Sequence, residues 1–344
     1  MTGRRCGIPM DGAANHLTGA ILSAADPESI RSAGRIIKTG GLVAFPTETV
    51  YGLGCDAMNA EAAAKVFEAK QRPQFDPLIV HIADPQQLDG VIGSLPVLGQ
   101  RLMDAFWPGP LTLVLPKQRA IPDLVTAGLS TVAVRMPNHP VAQALIREAG
   151  TPIAGPSANP FGYVSPTTAQ HVVDGLGSKA DLILDGGACP VGVESTIVSL
   201  AGLQPELLRP GSITIEQLST VIGSIRRSSP VNETPISPGQ LARHYATRTH
   251  LTILASVGAR PILKDGERAG LLILSHARDT DDRFVAIEVL SATGDLREAA
   301  RHLFATLRRL DSLSLDRIYV EPCKEEGLGL AIMDRLRRCA APRQ

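Results

Sequence analysis

Four apolar residues, Leu42-Val43-Ala44-Phe45, follow Gly40-Gly41 and are stopped by Pro46. A short apolar run between such breakers reads as a buried strand. Two hydroxyls and a carboxylate come at once, in Thr47, Glu48 and Thr49, and Gly52 and Gly54 come soon after. Glycine lets the backbone take φ > 0 or approach a ligand closely. A strand that ends in polar residues and glycines is where an open α/β sheet places its ligand crevice. The same pattern also fits a plain strand and turn with capping hydroxyls.

The chain is long enough for about two domains, at 344 residues, since single cores seldom grow past ~250–300 residues. With 44% hydrophobic and 20% charged residues a packed core is expected. Lys+Arg and Asp+Glu are both 34, so the formal net charge is +0, which argues against broad electrostatic binding to nucleic acid. No run of apolar residues is long enough to predict a membrane span. Cys6, Cys55, Cys189, Cys323 and Cys339 form no Cys-x-x-Cys pair and read as reduced thiols of a cytoplasmic protein. Residues 1–24 show little periodicity and are expected to form a flexible arm. Arg4 and Arg5 precede no signal-peptide core, and Met10 offers an alternative start.

Helices and strands alternate over residues 25–227. Asp26 is a helix N-cap with Pro27 in the first position, and the helix runs to about residue 38 with Ile30, Ala33, Ile36 and Ile37 inward. A second helix covers 61–69, and Lys70 and Arg72 stand at its end before Pro73. Cations there suit the helix dipole, and two so close can also clamp a polyphosphate, with Arg a planar fork and Lys a compact charge. The strand 78–82 holds His81, a residue type that in such a place is more often a hydrogen-bonded core group than a ligand group. Residues 84–105 read as two short helices, 107–110 as a rigid turn and 111–115 as a strand. In the strand 131–135, Thr131, Ala133 and Arg135 share a face, and Arg135 at its end can fork onto a carboxylate.

A helix over 140–149 and a strand over 152–154 lead to Gly155-Pro156-Ser157-Ala158-Asn159-Pro160, which presents a hydroxyl and an amide from a loop fixed by two prolines. Ser-x-Asn can also simply close its own turn. Ser165-Pro166-Thr167 reads as a helix N-cap whose N-terminus favours an anion. Strands follow at 182–184, within 192–198 and at 207–209, where Arg209 is a third candidate phosphate cation, and a helix over 213–225 closes the unit. Residues 228–249 are polar and Pro-rich at first and read as a linker or lid. Strands near 251–255, 271–274, 284–290 and 318–320, with helices over 296–310 and 327–339, make a smaller α/β unit over 250–344.

Eight motifs give the chain a resemblance. They are Pro46-Thr47-Glu48-Thr49-Val50-Tyr51-Gly52-Leu53-Gly54, Lys70-Gln71-Arg72-Pro73, Pro77-Leu78-Ile79-Val80-His81, Trp107-Pro108-Gly109-Pro110-Leu111-Thr112, Pro156-Ser157-Ala158-Asn159, Glu194-Ser195-Thr196, Leu208-Arg209-Pro210-Gly211, and Ser237-Pro238-Gly239 with His244-Tyr245. In this order, over about residues 28–340, the chain resembles the YrdC/Sua5 family, the L-threonylcarbamoyl-adenylate synthases. The resemblance implies an α/β fold: an N-terminal YrdC-like twisted mixed open sheet flanked by helices, plus a smaller Rossmann-like α/β C-terminal domain. It implies a nucleotidyltransferase that forms threonylcarbamoyl-AMP and pyrophosphate from L-threonine, bicarbonate and ATP. The product serves the N6-threonylcarbamoyl modification of adenosine 37 in tRNAs that read ANN codons.

By the same resemblance Lys70 and Arg72 form the catalytic clamp. Arg72, Asp76, Thr131, Ser157, Asn159, Ser165, Arg209, His244 and Tyr245 bind ATP, and Thr49, His81, Arg135, Gly155 and Ser195 bind threonine. No protein metal site is expected; Mg2+ arrives with ATP. The product passes to a transferase complex, tRNA contact is weak or indirect, and no membrane is involved. Asp76 stands where the family has Asn, and Gln240-Leu241-Ala242 where it has Met-Lys-Tyr. The linker is expected to fold over the pocket, carrying Ser237, Arg243, His244 and Tyr245 with it. No P-loop, His-Glu-x-x-His or Gly-x-Ser-x-Gly occurs. The competing reading is an RNA-binding module without chemistry, against which the charge balance and the 3% aromatic content weigh.

Overall fold

The computed structural model describes residues 19–228, 235–241, 244–275 and 281–342. The first unit is built, in chain order, from β1 (Ala20–Ser23), α1 (Pro27–Lys38), β2 (Val43–Phe45), β3 (Gly52–Asp56), α2 (Ala60–Lys70), β4 (Ile79–His81), α3 (Val97–Phe106), β5 (Leu111–Pro116), β6 (Thr131–Arg135), α4 (Pro140–Ala149), β7 (Ile153–Gly155), α5 (Ala169–Leu176), β8 (Leu182–Asp185), β9 (Thr196–Ser199), β10 (Glu206–Arg209), α6 (Ile215–Ile222) and β11 (Arg226–Arg227). The described strands form one mixed sheet in the order β1-β8-β2-β3-β7-β4-β6-β5-β9-β10-β11.

Local chemistry accounts for the elements. The Asp26 carboxylate accepts the Glu28 amide and starts α1, whose Ala33 and Ile37 are buried. Asn59 caps α2 in the same way, and Gln71 ends it in the left-handed region. β2 lies between β3, antiparallel, and β8, parallel, and is buried throughout because Val43 and Phe45 pack on α1 and α4 while Ala44 joins the core on the other face.

Three expectations change. Gly52 and Gly54 lie in β3, not in a turn, and at Gly54 the close approach is to side chains: a Cβ there would stand 2.7 Å from Phe45 Cε1 and 2.6 Å from Ile153 Cγ2. Residues of the expected arm form β1, which pairs in parallel with β8 and lengthens the sheet by a strand. Arg4, Arg5, Cys6 and Met10 lie outside the described residues. α5 is capped by Thr168, not by Ser165, which lies before the helix and is fully buried.

The second unit comprises β12 (His250–Ile253), β13 (Ala269–Ile273), β14 (Phe284–Val289), α7 (Leu296–Asp311), β15 (Arg317–Val320) and α8 (Leu328–Ala340). Its strands are all parallel, in the order β12-β15-β13-β14. Leu303, Leu307, Ile332 and Leu336 of the two helices pack with Leu251 and Leu272 of this sheet. Val50, Val164, Val193 and Tyr245 join the same cluster from the first unit and the linker, so one apolar core runs across the boundary.

Polar contacts fix that docking. Tyr163 Oη donates to Asp311 Oδ2 at 2.7 Å, and the Arg308 guanidinium lies 4.9 Å from the centre of the Tyr163 ring. The backbones also approach closely at Gly192, which has φ +79°, where a Cβ would fall 2.4 Å from Arg301 Cα in α7. Gly192→Val should therefore push α7 away, costing at least ~2 kcal/mol of overpacking and strain. Scanning calorimetry is expected to split one unfolding transition into two; a single transition at the original temperature would contradict the docking.

Candidate active site

The carboxyl ends of β4 and β6, the end of β7 and the start of β9 converge with the loop 46–51. β4 and β6 are parallel neighbours in which His81 and Arg135 are register partners. They open onto a cavity whose walls carry side chains from both the sheet and the linker. Gly155 is needed in this wall, because a Cβ on it would meet Leu53 O at 2.6 Å.

Arg135 is 3% exposed. Its Nη1 donates to Thr49 Oγ1 at 2.9 Å and its Nε to Gly109 O at 3.3 Å. Glu48 Oε1 lies 2.6 Å from Nη2, without the angle of a hydrogen bond. Thr49 Oγ1 also shares a 2.8 Å hydrogen bond with Thr47 Oγ1. Arg209 donates from Nε to Ser195 O, from Nη2 to Ser195 Oγ, and from Nη1 to Pro238 O in the linker. Arg72 donates to the carbonyls of Asp76 and Pro77 and packs over the Phe161 ring at 5.8 Å. Each of these guanidinium groups is thus aimed by main-chain oxygens of loops and strand ends.

Of the residues singled out from the sequence, Thr49, His81, Arg135, Gly155, Ser195, Arg72, Ser157, Arg209, His244 and Tyr245 line the cavity. The others stand elsewhere. Lys70 lies one layer behind, its ammonium donating to the carbonyls of Ser157 and Asn159. Asn159 Nδ2 ties down the carbonyls of Pro160 and Tyr163. Ser165 Oγ donates to Glu194 Oε1 at 2.5 Å. Asp76 is fully buried and turned towards Arg72, its Oδ1 2.9 Å from Nη2. Thr131 begins β6, some ~13 Å of extended chain from Arg135, and is outside the cavity wall. Arg243 lies outside the described residues.

Other residues enter that residue-by-residue reading did not assign. Glu48 sits against Arg135, Glu194 joins Ser165 to Arg335 of α8 at 3.0 Å, and Pro238 and Gly239 form part of the wall. Glu48 and Glu194 lie inside the motifs of the sequence, but their roles depend on partners distant in the chain. Gln240 caps its own turn, its Oε1 accepting from the amides of Ile236 and Ser237.

Burial governs the titration of this site. The Lys70 ammonium is pushed well below its usual range by burial and by Arg72 beside it. Burial raises the Asp76 carboxyl against the pull of Arg72. His81 is depressed to about 3, by burial first and then by Arg135, while its Nδ1 lies 3.3 Å from Ile153 O. His244 is also lowered, by burial and the surrounding cations. Three buried polar atoms of the linker have no partner: Ser237 Oγ, His244 Nδ1 and Tyr245 Oη. Such atoms are costly unless something else satisfies them.

Both imidazoles are neutral in the fold, whereas an unfolded histidine titrates near ~6.5. Below that pH the unfolded chain binds more protons, so stability falls with acid, by up to ~1.4 kcal/mol per pH unit for each group. Urea unfolding at about pH 7 and about pH 5.5 should show this loss, and His81→Gln should reduce the difference between the two by ~1 kcal/mol. An unchanged pH dependence in the variant would count against a neutral His81.

The comparisons agree with this geometry. A family model described as "Telomere recombination", covering the Sua5, YciO and YrdC proteins, matches residues 35–211. A second, "Threonylcarbamoyl-AMP synthase, C-terminal domain", matches residues 213–341. The threonylcarbamoyl-AMP synthase of Bacillus subtilis is 44% identical over 331 residues, covering 94% of this chain and 95% of its own. That of Pyrococcus abyssi is 43% identical, covering 91% and 94%. The crystal structure of Pyrococcus abyssi Sua5 with L-threonine superposes with a TM-score of 0.85 at 40% identity, covering 92% of this chain and 95% of that one. The chain therefore belongs to the Sua5/YrdC family, in its two-domain form with the threonylcarbamoyl-AMP synthase C-terminal domain.

Proposed function

We propose that this chain is a threonylcarbamoyl-AMP synthase, condensing L-threonine, bicarbonate and ATP to threonylcarbamoyl-AMP and pyrophosphate, and that the cavity between sheet and linker is its reaction chamber. The observation that carries this reading is the linker. His244 and Tyr245 each hold a buried polar atom without a partner, in the wall of a cavity edged by Arg72, Arg135 and Arg209. A nucleotide and an amino acid would satisfy those atoms. The cavity's cations are buried ones, whereas an RNA backbone needs a row of accessible cations.

In this reaction the threonine amine takes up CO2 or bicarbonate as a carbamate, and a carbamate oxygen attacks the α-phosphate while pyrophosphate leaves. No covalent nucleophile on the protein is required. Arg135, with Thr49 beside it, holds the threonine carboxylate, and Ser195 and the neutral His81 complete that end of the pocket. Arg72 and Arg209 meet the phosphates, with Ser157, His244 and Tyr245 around the nucleotide. Lys70 acts from the layer behind by fixing the 157–159 loop. Entry of a polyphosphate favours its charged form, since a nearby anion raises a lysine pKa. Magnesium is proposed to enter with ATP. Asp76, paired with Arg72, is a counter-ion in this reading. The linker excludes water from the mixed anhydride, the labile product passes to a transferase in the cytoplasm, and tRNA contact is weak or indirect.

Incubation with ATP, bicarbonate and a panel of amino acids, followed by mass detection of the adenylate, tests the assignment. Threonine is expected to be used best and serine less well, because a methyl group in an apolar niche is worth ~1–3 kcal/mol. Equal turnover of leucine would sink the threonine assignment. In the same assay Arg135→Ala should raise the KM for threonine at least ~tenfold, since a charge-assisted hydrogen bond contributes ~1.5–3 kcal/mol. Arg72→Ala should do so for ATP. A threonine KM unchanged in Arg135→Ala would remove that residue from the amino-acid site.

A further inference from the structure

Among the described residues the C-terminal unit lends the cavity no lining side chain beyond the linker, yet one of its residues touches two of the cavity's walls from behind. Arg335 of α8 is completely buried, an expensive place for a guanidinium. Its Nε donates to Glu194 Oε2 at 3.0 Å. Its Nη1 donates to Pro210 O at 2.6 Å and to Asp334 Oδ2 at 2.9 Å. Its carbon centre lies 5.4 Å from the middle of the Tyr245 ring. One side chain thus reaches the sheet wall through Glu194 and the linker wall through Tyr245, both of which line the cavity.

Each wall needs such support. Glu194 accepts from Ser165 with its other oxygen, so its carboxylate bridges the 165 loop to α8. The next residue, Ser195, is in turn bonded to Arg209 and to Thr112. Tyr245 has φ +61°, a left-handed backbone that costs a non-glycine residue ~1 kcal/mol or more. That conformation persists only where surroundings impose it. Here the ring is stacked on Phe304 of α7 with centroids 5.5 Å apart, faces the His244 ring at 4.2 Å, and lies over Arg335. Arg338, one turn on from Arg335, holds the linker's entry by donating to the carbonyls of Gln240 and Leu241.

We propose that Arg335 is a positioning residue for the nucleotide end of the cavity, which fixes Glu194 and the strained Tyr245 relative to each other and so couples docking of the C-terminal unit to the closed shape of the site. Arg335 touches no ligand in this arrangement. Its effect passes through the Glu194 carboxylate and the Tyr245 ring, and its loss leaves Glu194 buried without its cation while Tyr245 relaxes from the left-handed region.

The inference rests on the adenylate-forming reading above. The wild-type chain is therefore assayed beside every variant, and a silent wild type would count against that reading instead. The test compares Arg335→Met, Arg335→Lys and Leu271→Ala, the last a core change in β13 remote from the interface. All are assayed well below the lowest melting temperature of the set. Arg335→Met is expected to raise the KM for ATP at least ~tenfold, with kcat reduced less than ~threefold. Arg335→Lys keeps a charge for Glu194 but not the fork to Pro210, and should lie between. Leu271→Ala should lower the melting temperature and leave the KM for ATP unchanged. Adding Glu194→Gln to Arg335→Met should raise the KM no further, because the two act as one unit. A wild-type KM in Arg335→Met overturns the proposal, as does a KM that rises equally in Leu271→Ala. Should Arg335→Met fail to fold, a wild-type KM in Arg335→Lys overturns it alone.

Discussion

Five cations are buried around one cavity: Lys70, Arg72, Arg135, Arg209 and Arg335. Removing a charge from water costs several kcal/mol even after relaxation, unless hydrogen bonds and counter-charges replace the lost solvation. The chain meets that demand chiefly with backbone. Carbonyls of Asp76, Pro77, Gly109, Ser157, Asn159, Ser195, Pro210 and Pro238 accept from these groups. All eight lie in loops or at strand ends, where sheet pairing leaves carbonyls to spare. The cations thereby fix the loops, and the loops fix the cations' directions.

Three buried carboxylates, Glu48, Asp76 and Glu194, face the five cations. Asp334 adds a fourth carboxylate through Arg335, so the group is close to balanced, as is the chain as a whole with its formal net charge of +0. An anion entering the cavity would meet donors already in place, in surroundings of low polarity where each counts for more than it would in water. Burial also explains why the two histidines near this centre are neutral and act as hydrogen-bonding groups.

The second unit belongs to the same construction. Its core is continuous with Val50, Val164 and Val193 of the first, and its two helices hold the linker by Arg338 and Phe304. Pro238 O is bonded to Arg209, and the 238–239 and 244–245 segments form cavity wall. Residues 229–234 and 242–243 of the linker lie outside the described residues.

Much of this was legible in the chain. Apolar periodicity and capping residues located α1, α4, α7 and α8 to within a few residues, because those signals are local. The strand at 131–135 and the polar loop after β2 were equally plain. β1 was not, since four residues with little alternation gain strand character only by pairing with β8, some 160 positions away. Glycine at 52 and 54 suggested a turn, but the Phe45 ring needs the space that their missing Cβ atoms leave. For the site, motif residues fixed which chemical groups are present: cations, hydroxyls and an imidazole in a set order. Only the tertiary structure decided that Asp76 and Lys70 stand behind the wall, that Thr131 is remote from it, and that Glu48, Glu194 and Arg335 complete the charge balance. The physical reason is that periodicity and capping act over a few residues, whereas the partner of a buried charge is chosen by desolvation across the whole fold.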